Sequence, residues 1–260
     1  MPMRDVALNT VMTGNGADGT ALPMVPDIRA VTTSDLCLTI GDKPLIRDVS
    51  LSLSPDGITM IMGPNGAGKS LLLRLIHGLL PPSSGGVLWG GQTLSDDLRR
   101  AQSMVFQKPV VLRRSVAANV EFALKARGVR DAARRDALLD HVGLLDHARQ
   151  PARLLSGGEQ QRLSLARALA TAPKVMLMDE PTASLDPASV LKIEEIVLEA
   201  RANGTKIIFV THDLGQAGRL ADDIIFMNQG RLHEYGPSDL FLSRPETQAA
   251  RDFLQGRIVA

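Results

Sequence analysis

The sequence predicts an α/β fold: a mixed parallel sheet covered by helices, an N-terminal antiparallel β layer, and an inserted α-helical subdomain. Three observations lead to this prediction. Two strand-like stretches lie close together near the N-terminus, residues 108–165 read as helices, and short apolar strand-like runs alternate with helical runs after residue 170. Strands that alternate with helices are typical of parallel sheets.

The bulk composition limits the classes of function. The chain has 260 residues, is 44% hydrophobic and carries a formal net charge of +1, so it can bury one large core. Because nucleic-acid binding uses basic fields and aromatic stacking, the near-neutral charge and the aromatic content of 3% predict no nucleic-acid partner. The single cysteine, Cys37, excludes an internal disulfide and is expected to be a small buried strand residue. No apolar run reaches the length of a membrane span, so we expect a soluble or peripheral, cytoplasmic protein.

The N-terminal region divides into a tail and a β layer. Glycine, proline and asparagine interrupt every apolar stretch of residues 1–27, which predicts a disordered tail. Residues 28–41 and 45–53 read as two strands joined by a turn, and a further strand pair is expected around residues 87–89 and 103–106.

A phosphate-binding loop follows the apolar run at residues 58–62. Residues 63–70 fill the G-x4-G-K-[ST] pattern, in which glycines let successive backbone N–H groups converge on phosphate oxygens. Lys69 supplies a positive charge and Ser70 a hydroxyl ligand for Mg²⁺. The residues expected to hold the phosphates are Gly63, Pro64, Asn65, Gly66, Ala67, Gly68, Lys69 and Ser70.

The context of this loop strengthens the assignment. A strand precedes it, and the apolar run at residues 71–76 predicts a buried helix after it. This order predicts a P-loop NTPase core that binds a nucleoside triphosphate. Kinases, GTPases and many ATPases remain open at this point.

Helix-capping residues define the elements that follow. In the insert, Ser115 can cap one helix and Asp131 a second, which Gly143 ends. Later, Asp186 followed by a proline begins a helix that ends near residue 203. The apolar positions that share one face of the first of these helices are Val116, Val120, Ala123 and Leu124. The buried strands of the C-terminal half are expected at residues 175–178, 206–210 and 224–227.

Two carboxylates follow the first of these strands. Asp179 and Glu180 come directly after the apolar run at residues 175–178, which is where a Mg²⁺-triphosphate site needs acids, at the carboxyl edge of its sheet. We expect Asp179 to hold the metal ion, directly or through water, and Glu180 to act as the general base on the attacking water.

A second helix N-terminus has the character of an anion site. Ser156, Gly157, Gly158 and Glu159 precede a helix that continues to about residue 170. We expect exposed amides there and a serine hydroxyl that points outward. One nucleotide does not need two such helix ends within one chain.

Together these motifs resemble the ATP-binding cassette ATPases of membrane transporters, from about residue 28 to 240. The run LSGGEQQR is the most specific of them, because the phosphate loop occurs in many families. In chain order, the matching segments are residues 63–70, Gln107, residues 155–162, Asp179 with Glu180, residues 184–186, and His212. The domain division implied is a tail at 1–27, an ATPase domain at 28–240 with a helical subdomain at about 108–165, and a short C-terminal helical extension at 241–260.

The resemblance implies roles and partners. Gln107 senses Mg²⁺ and the water, and counts with Ser70 and Asp179 as a metal ligand, while His212 contacts the γ-phosphate. The cofactors implied are ATP and Mg²⁺. The partner implied is a second copy of the chain, head to tail, so that residues 156–159 of one copy close over ATP held by the phosphate loop of the other.

The resemblance also implies a peripheral ATPase at the cytoplasmic face of the membrane. It docks on permease membrane subunits through the surface around residues 107–114, where Lys108, Arg113 and Arg114 lie, and serves a periplasmic or extracellular solute-binding protein indirectly. The sequence is similar to ATPases of tungstate and related oxyanion importers, so tungstate or molybdate is the expected solute. The alternatives are an importer ATPase for phosphate or another solute, or a soluble cassette ATPase that remodels DNA or ribosomes. The latter needs a coiled coil or tandem cassettes that this sequence lacks.

One position departs from the family pattern. Members carry an aromatic residue before the first glycine of the early turn, where it stacks on adenine, and this sequence has Ile40 before Gly41. We expect weaker base discrimination, including tolerance of GTP.

Overall fold

The computed structural model describes residues 27–257. The predicted disordered tail falls outside the described residues, apart from Asp27, so it stays a prediction. The strands are β1 (Val31–Ile40), β2 (Lys43–Leu53), β3 (Ile58–Met62), β4 (Ser84–Trp89), β5 (Gln102–Val105), β6 (Val175–Asp179), β7 (Lys206–Val210), β8 (Asp223–Asn228) and β9 (Arg231–Pro237).

Helices cover these strands and also fill the middle of the chain. Two 3₁₀ turns, Leu145–His147 and Ala152–Leu154, connect helices of the middle segment. The α-helices are α1 (Lys69–His77), α2 (Asp96–Arg100), α3 (Val116–Ala126), α4 (Ala132–His141), α5 (Gly157–Ala170), α6 (Pro187–Ala202), α7 (Leu214–Leu220), α8 (Ser238–Ser243) and α9 (Gln248–Leu254).

Two sheets form the frame of the molecule. A three-stranded antiparallel sheet has the order β2-β1-β4, and a six-stranded sheet has the order β5-β6-β7-β3-β8-β9. In the larger sheet all neighbouring pairs are parallel except β8 and β9, which are antiparallel. The predicted mixed parallel sheet and antiparallel N-terminal layer are confirmed.

The strands predicted around residues 87–89 and 103–106 are present as β4 and β5, but the prediction that they form a pair is wrong. β4 pairs with β1, whereas β5 pairs in parallel with β6 in the other sheet. Between them lies α2, which Ser95 caps by accepting a hydrogen bond from the Leu98 amide. Strands as short as β5 carry too little pattern to specify a partner, so only the folded chain decides the pairing.

The core consists of two apolar clusters, one on each face of the larger sheet. Alternate residues of one strand enter different clusters: Met60 and Met62 of β3 pack with α5, α6 and α7, while Ile61 packs with α1 and the antiparallel sheet. Strands covered on both faces are typical of parallel sheets. This double cover explains why β3, β6 and β7 read as continuous apolar runs.

The inserted helical subdomain contains α3, α4 and the start of α5. Its predicted caps are confirmed, because the Ser115 side chain accepts a hydrogen bond from the Ala118 amide and the Asp131 side chain accepts one from the Arg134 amide. The predicted apolar face of α3 is buried. The domain boundaries remain predictions.

Cys37 differs from the expectation. It is half-buried rather than buried, and its Sγ lies 3.3 Å from both the backbone nitrogen and Oδ1 of Asp48. Leu36 and Leu38 on either side of it are buried, so the alternation of side chains along β1 directs Cys37 to the opposite face. None of the helices in residues 27–257 combines the length and apolar character needed to cross a bilayer.

Candidate nucleotide-binding site

The phosphate loop lies between β3 and α1. Gly63 begins it with φ +143°, and Gly68 ends it as the N-cap of α1 with φ +98°. A Cβ atom at residue 63 would lie 2.0 Å from the Met227 carbonyl oxygen, so no larger residue fits there. Glycine adopts these positive φ values at little cost, and the loop can therefore curl tightly. The result is a cradle at a helix N-terminus that favours an anion.

The Lys69 side chain lies within this loop. Its side chain is buried, and Nζ donates hydrogen bonds to the carbonyl oxygens of Gly63 (2.9 Å) and Pro64 (3.1 Å). Burial lowers the pKa of Lys69, while the Glu180 and Asp179 carboxylates act in the opposite direction. A buried cation held mainly by backbone carbonyls is well placed to exchange them for charged phosphate oxygens.

Ser70 and Asp179 meet beside the loop. The Ser70 hydroxyl donates a hydrogen bond of 2.6 Å to Oδ1 of Asp179, and Nη2 of Arg74 lies 3.5 Å from Oδ2. Asp179 is the last residue of β6, and Ser70 is the second residue of α1. Two of the three predicted metal ligands are thus in direct contact.

The oxygen atoms of this pair fit Mg²⁺. The ion takes hard oxygen ligands, usually one or two carboxylates together with substrate phosphates and water. Within residues 27–257 no group of three or more His, Cys, Asp or Glu side chains is placed to hold a metal ion. The Ser70 hydroxyl and the Asp179 carboxylate would therefore hold the ion jointly with the triphosphate.

Glu180 is the meeting point of the predicted catalytic residues. Its Oε2 accepts a hydrogen bond of 3.3 Å from Nε2 of Gln107 and lies 3.5 Å from Nδ1 of His212, and its Oε1 lies 4.0 Å from Nζ of Lys69. Gln107, Glu180 and His212 follow β5, β6 and β7, which are neighbours in the sheet. Because the carboxyl ends of parallel strands share one edge, strand order brings these three side chains together.

Gln107 occupies a different place from the one expected of a metal ligand. Its side chain contacts Glu180 and not the pair formed by Ser70 and Asp179. The reason is its position after β5, which is next to β6 but two strands away from β7 and three from β3. Its assignment as a metal ligand stays a prediction that this arrangement does not support.

The helix N-terminus at residues 156–159 is built differently from the expectation. The Ser156 hydroxyl points back to its own helix: it accepts a hydrogen bond from the Glu159 amide and donates one to Glu159 Oε2, which also accepts one from the Ser156 amide. These hydrogen bonds from Ser156 hold the pKa of Glu159 below its ordinary value. This capping box leaves the hydroxyl occupied until a ligand competes for it.

This second helix end packs on the start of α6, away from the phosphate loop. A Cβ atom at Gly158 would lie 2.3 Å from Oγ of Ser189, which itself donates a hydrogen bond of 2.6 Å to the α6 cap, Asp186. Among the described residues, no polar contact joins residues 156–159 to the phosphate loop or to Glu180. Within one chain, the phosphate loop therefore lies beside Asp179 and Glu180, whereas the second predicted anion-binding helix end, at residues 156–159, does not.

Three side chains that sequence reasoning missed hold the segment around Gln107. Gln161 of α5 donates a hydrogen bond of 3.0 Å to the Phe106 carbonyl, and Asn119 of α3 bonds both the amide and the carbonyl of Leu112. Arg167 of α5 donates to the Val110 carbonyl. The only signal in the sequence was that Gln161 belongs to the LSGGEQQR run. The helical subdomain is thus bonded directly to the residues that flank Gln107.

Comparison with known proteins identifies relatives of this arrangement. The family described as ABC transporter matches residues 46–183. The chain is 39% identical over 239 residues to the phosphate import ATP-binding protein PstB of Malacoplasma penetrans, which covers 84% of this chain and 82% of the relative. It is 38% identical over 239 residues to the protein of the same description from Thermotoga maritima, covering 84% and 94%. The protein of that description from Pseudoalteromonas translucida is 36% identical over 249 residues, covering 88% and 90%.

A solved structure supports the same assignment. The chain aligns with cbiO1 from Clostridium perfringens, described as part of the ABC transporter complex cbiONQ, at a TM-score of 0.73 and 28% identity, covering 83% of this chain and 91% of that chain. The family match spans more than half of the 260 residues, and the curated relatives cover most of the chain at more than 30% identity. The chain therefore belongs to the ABC transporter family, as a Mg²⁺-dependent ATPase subunit.

Proposed function

We propose that this chain is the ATPase subunit of an importer of inorganic phosphate and acts at the cytoplasmic face of the membrane with separate membrane subunits. The observation that carries the proposal is that relatives at 36–39% identity, covering 84–88% of the chain, are described as phosphate import ATP-binding proteins. The expectation of tungstate or molybdate has no such support. The solute crosses through other subunits, so no residue of this chain reports its identity directly.

In the proposed reaction, each group of residues in the site has its own role. The glycine-lined cradle and Lys69 bind the triphosphate, and Ser70 with Asp179 holds Mg²⁺, which neutralises phosphate charge when bound. Glu180 accepts a proton from the attacking water, and Gln107 and His212 orient its carboxylate. The hydrogen bond from Gln107 and the 3.5 Å contact with His212, both at Oε2 of Glu180, support that orienting role.

The proposed active unit is a head-to-tail pair. Residues 156–158 lie apart from the phosphate loop of their own chain, and their helix N-terminus suits an anion. In a pair, this end would close over ATP bound to the other copy, and the triphosphate would satisfy both helix ends. ATP then favours the closed pair by differential affinity, and hydrolysis with phosphate release reopens it.

The proposed docking surface for the membrane subunits is an arginine-lined cavity in the helical subdomain. It has a volume of about 430 Å³, and the residue that follows its lining residue Arg153, Leu154, is exposed. Its two sides are joined by a backbone hydrogen bond of 2.9 Å from Ala152 to Arg114. In the described part of the chain, none of its four guanidinium groups forms an ion pair with a carboxylate. The lining residues are Arg113, Arg114, Ser115, Arg149, Pro151 and Arg153.

Charge reversal tests this surface. We expect the double variant Arg113→Glu and Arg149→Glu to reduce co-purification of the membrane subunits at least about tenfold, because Arg-rich surfaces pair with acidic partners. The basal ATPase activity of the isolated chain should stay at the wild-type level. Arg130→Glu, at an exposed arginine elsewhere in the helical subdomain, is the matched control. Normal co-purification of the double variant would assign docking to another surface.

Uptake measurements test the solute. Cells that carry the complete transporter should take up radiolabelled phosphate, and equal concentrations of tungstate or molybdate should compete poorly. Glu180→Gln in this chain should abolish the uptake. Uptake of tungstate or molybdate without phosphate uptake would overturn the phosphate proposal. It would support the prediction that tungstate or molybdate is the transported solute.

A further inference from the structure

We propose that Gln216 is a positioning residue for ATP hydrolysis: it ties the loop that carries Glu180 to the loop that carries His212 and so sets the separation of these two side chains. This inference rests on the roles proposed above for Glu180 and His212. It concerns a residue in the first turn of α7 whose hydrogen bonds go to Thr182, Asp213 and Glu194, and not to the phosphate loop or to the two side chains it positions.

Gln216 bonds to both loops at once. Its backbone amide donates a hydrogen bond of 3.0 Å to Oδ1 of Asp213, which is the neighbour of His212. Its side-chain Oε1 accepts a hydrogen bond of 3.2 Å from the hydroxyl of Thr182, which follows Glu180 by two residues. In the part of the chain that the structure describes, this is the only side-chain hydrogen bond between residues 181–185 and 211–216.

A buried carboxylate anchors the other end of the Gln216 amide group. Nε2 of Gln216 donates a hydrogen bond of 3.0 Å to Oε1 of Glu194 on α6. Glu194 is 4% exposed, and the guanidinium of Arg219 binds both of its oxygens, at 2.7 and 2.9 Å. If Gln216, which is 0% exposed, swung away, it would leave a buried carboxylate and its own amide short of partners. Such unmade hydrogen bonds are costly in a buried site.

The loop that Gln216 holds needs a support of this kind. Glu180 and Ser184 adopt left-handed backbone conformations, with φ of +44° and +62°, and strained residues keep such geometry only when surrounding contacts enforce it. The contact between Nδ1 of His212 and Oε2 of Glu180, at 3.5 Å, depends on the relative position of the two loops. Misplacement of a catalytic group by about 1 Å costs on the order of 100-fold in rate.

The decisive variant is Gln216→Met in the full-length chain, because methionine fills a similar volume without hydrogen-bonding groups. We expect kcat for ATP hydrolysis to fall about 10- to 100-fold, with KM for ATP changed by less than about twofold because the phosphate loop is untouched. Thr247→Val is the control for loss of stability alone: it removes the hydroxyl's hydrogen bond to Glu234 and the α9 cap from the Ala250 amide, both remote from the site. This control should lower the melting temperature without lowering kcat.

A double-mutant cycle separates positioning from structural support. If Gln216 acts through His212, the change Gln216→Met should lower kcat no further in a His212→Ala background. Independent, multiplying losses of kcat, or a wild-type kcat for Gln216→Met, would overturn the inference alone. Wild-type kcat for His212→Ala would overturn both this inference and the role proposed for His212.

Discussion

At the scale of single residues, Glu180 shows how backbone and side chain are specified together. Its left-handed backbone follows a buried strand, its amide donates a hydrogen bond of 3.1 Å to the Val210 carbonyl, and its carboxylate contacts Gln107, His212 and Lys69. A non-glycine residue at positive φ costs about 1–3 kcal/mol. Since the strain falls on the predicted general base, we attribute it to the need to aim this carboxylate at the site.

Ile40 is the residue for which sequence and family pattern disagree. It ends β1 and is 60% exposed, so no part of the core requires an isoleucine there. An exposed apolar side chain at this position is available to a ligand, and isoleucine lacks the flat face that stacks on a base.

A binding assay with ATP and GTP tests this residue. We expect the two nucleotides to bind the wild-type chain with affinities within a few-fold of each other. Ile40→Tyr should strengthen ATP binding by about 1–3 kcal/mol through stacking. A strong preference of the wild-type chain for ATP over GTP would contradict the prediction.

At the scale of elements, α5 combines a capped start with close packing on α6. The capping box satisfies the amides of Ser156 and Glu159, and Gly158 lets the helix approach Ser189. The same helix bonds the Phe106 carbonyl through Gln161. A movement of α5 would therefore be transmitted to the segment that carries Gln107.

The pH dependence of stability tests the capping box. Because hydrogen bonds from Ser156 lower the pKa of Glu159 from its ordinary value of 4.5, its contribution is present in full above that value and is lost as the pH falls through the lowered pKa. At pH 7, Glu159→Ala should lower the melting temperature by about 2–4 °C, as expected for a cap worth about 1 kcal/mol. The difference from the wild type should shrink as the pH is lowered below 4.5.

Glu195→Ala is the control for this experiment. Glu195 is exposed on α6 and, among residues 27–257, pairs with Lys192 alone, and such surface pairs contribute little to stability. Its melting temperature should follow that of the wild type at every pH. A pH-independent effect of Glu159→Ala would show that the carboxylate charge does not support the helix.

At the scale of the whole molecule, the fold places the two predicted anion-binding helix ends in separate parts of the chain. Strand order gathers the phosphate loop, Ser70 with Asp179, and Glu180 with its partners at one edge of the larger sheet. Residues 156–158 lie on the helical subdomain and pack on α6 instead. This separation within one chain is the reason that we propose a second copy to complete the site.

The variant Glu180→Gln tests the completed pair. Glutamine keeps the size of the side chain but accepts no proton, so ATP hydrolysis should fall at least about 100-fold while ATP still binds. With ATP and Mg²⁺, light scattering should show twice the mass of the single chain, and without ATP the pair should dissociate. Single chains at high concentration with ATP bound would refute the paired arrangement, and hydrolysis at the wild-type rate would refute the role of Glu180.

The amino-acid sequence alone was enough to predict the features that one short segment specifies. The glycine-rich loop between β3 and α1 and the caps Ser115, Asp131 and Asp186 were predicted correctly, because the geometry of a loop or a helix end depends on neighbouring residues. Motif order also predicted that Glu180 and Asp179 belong to one site. The assignment to a transporter ATPase came from the LSGGEQQR run.

The contacts between residues far apart in the chain became known from the folded structure. The pairing of β5 with β6 placed Gln107 on Glu180, and the packing of α6 against α7 joined Glu194, Gln216 and Thr182. The arginines at 113 and 149 line one cavity although 35 residues separate them in the chain. Such contacts depend on strand order and on packing between elements, which local propensity does not encode.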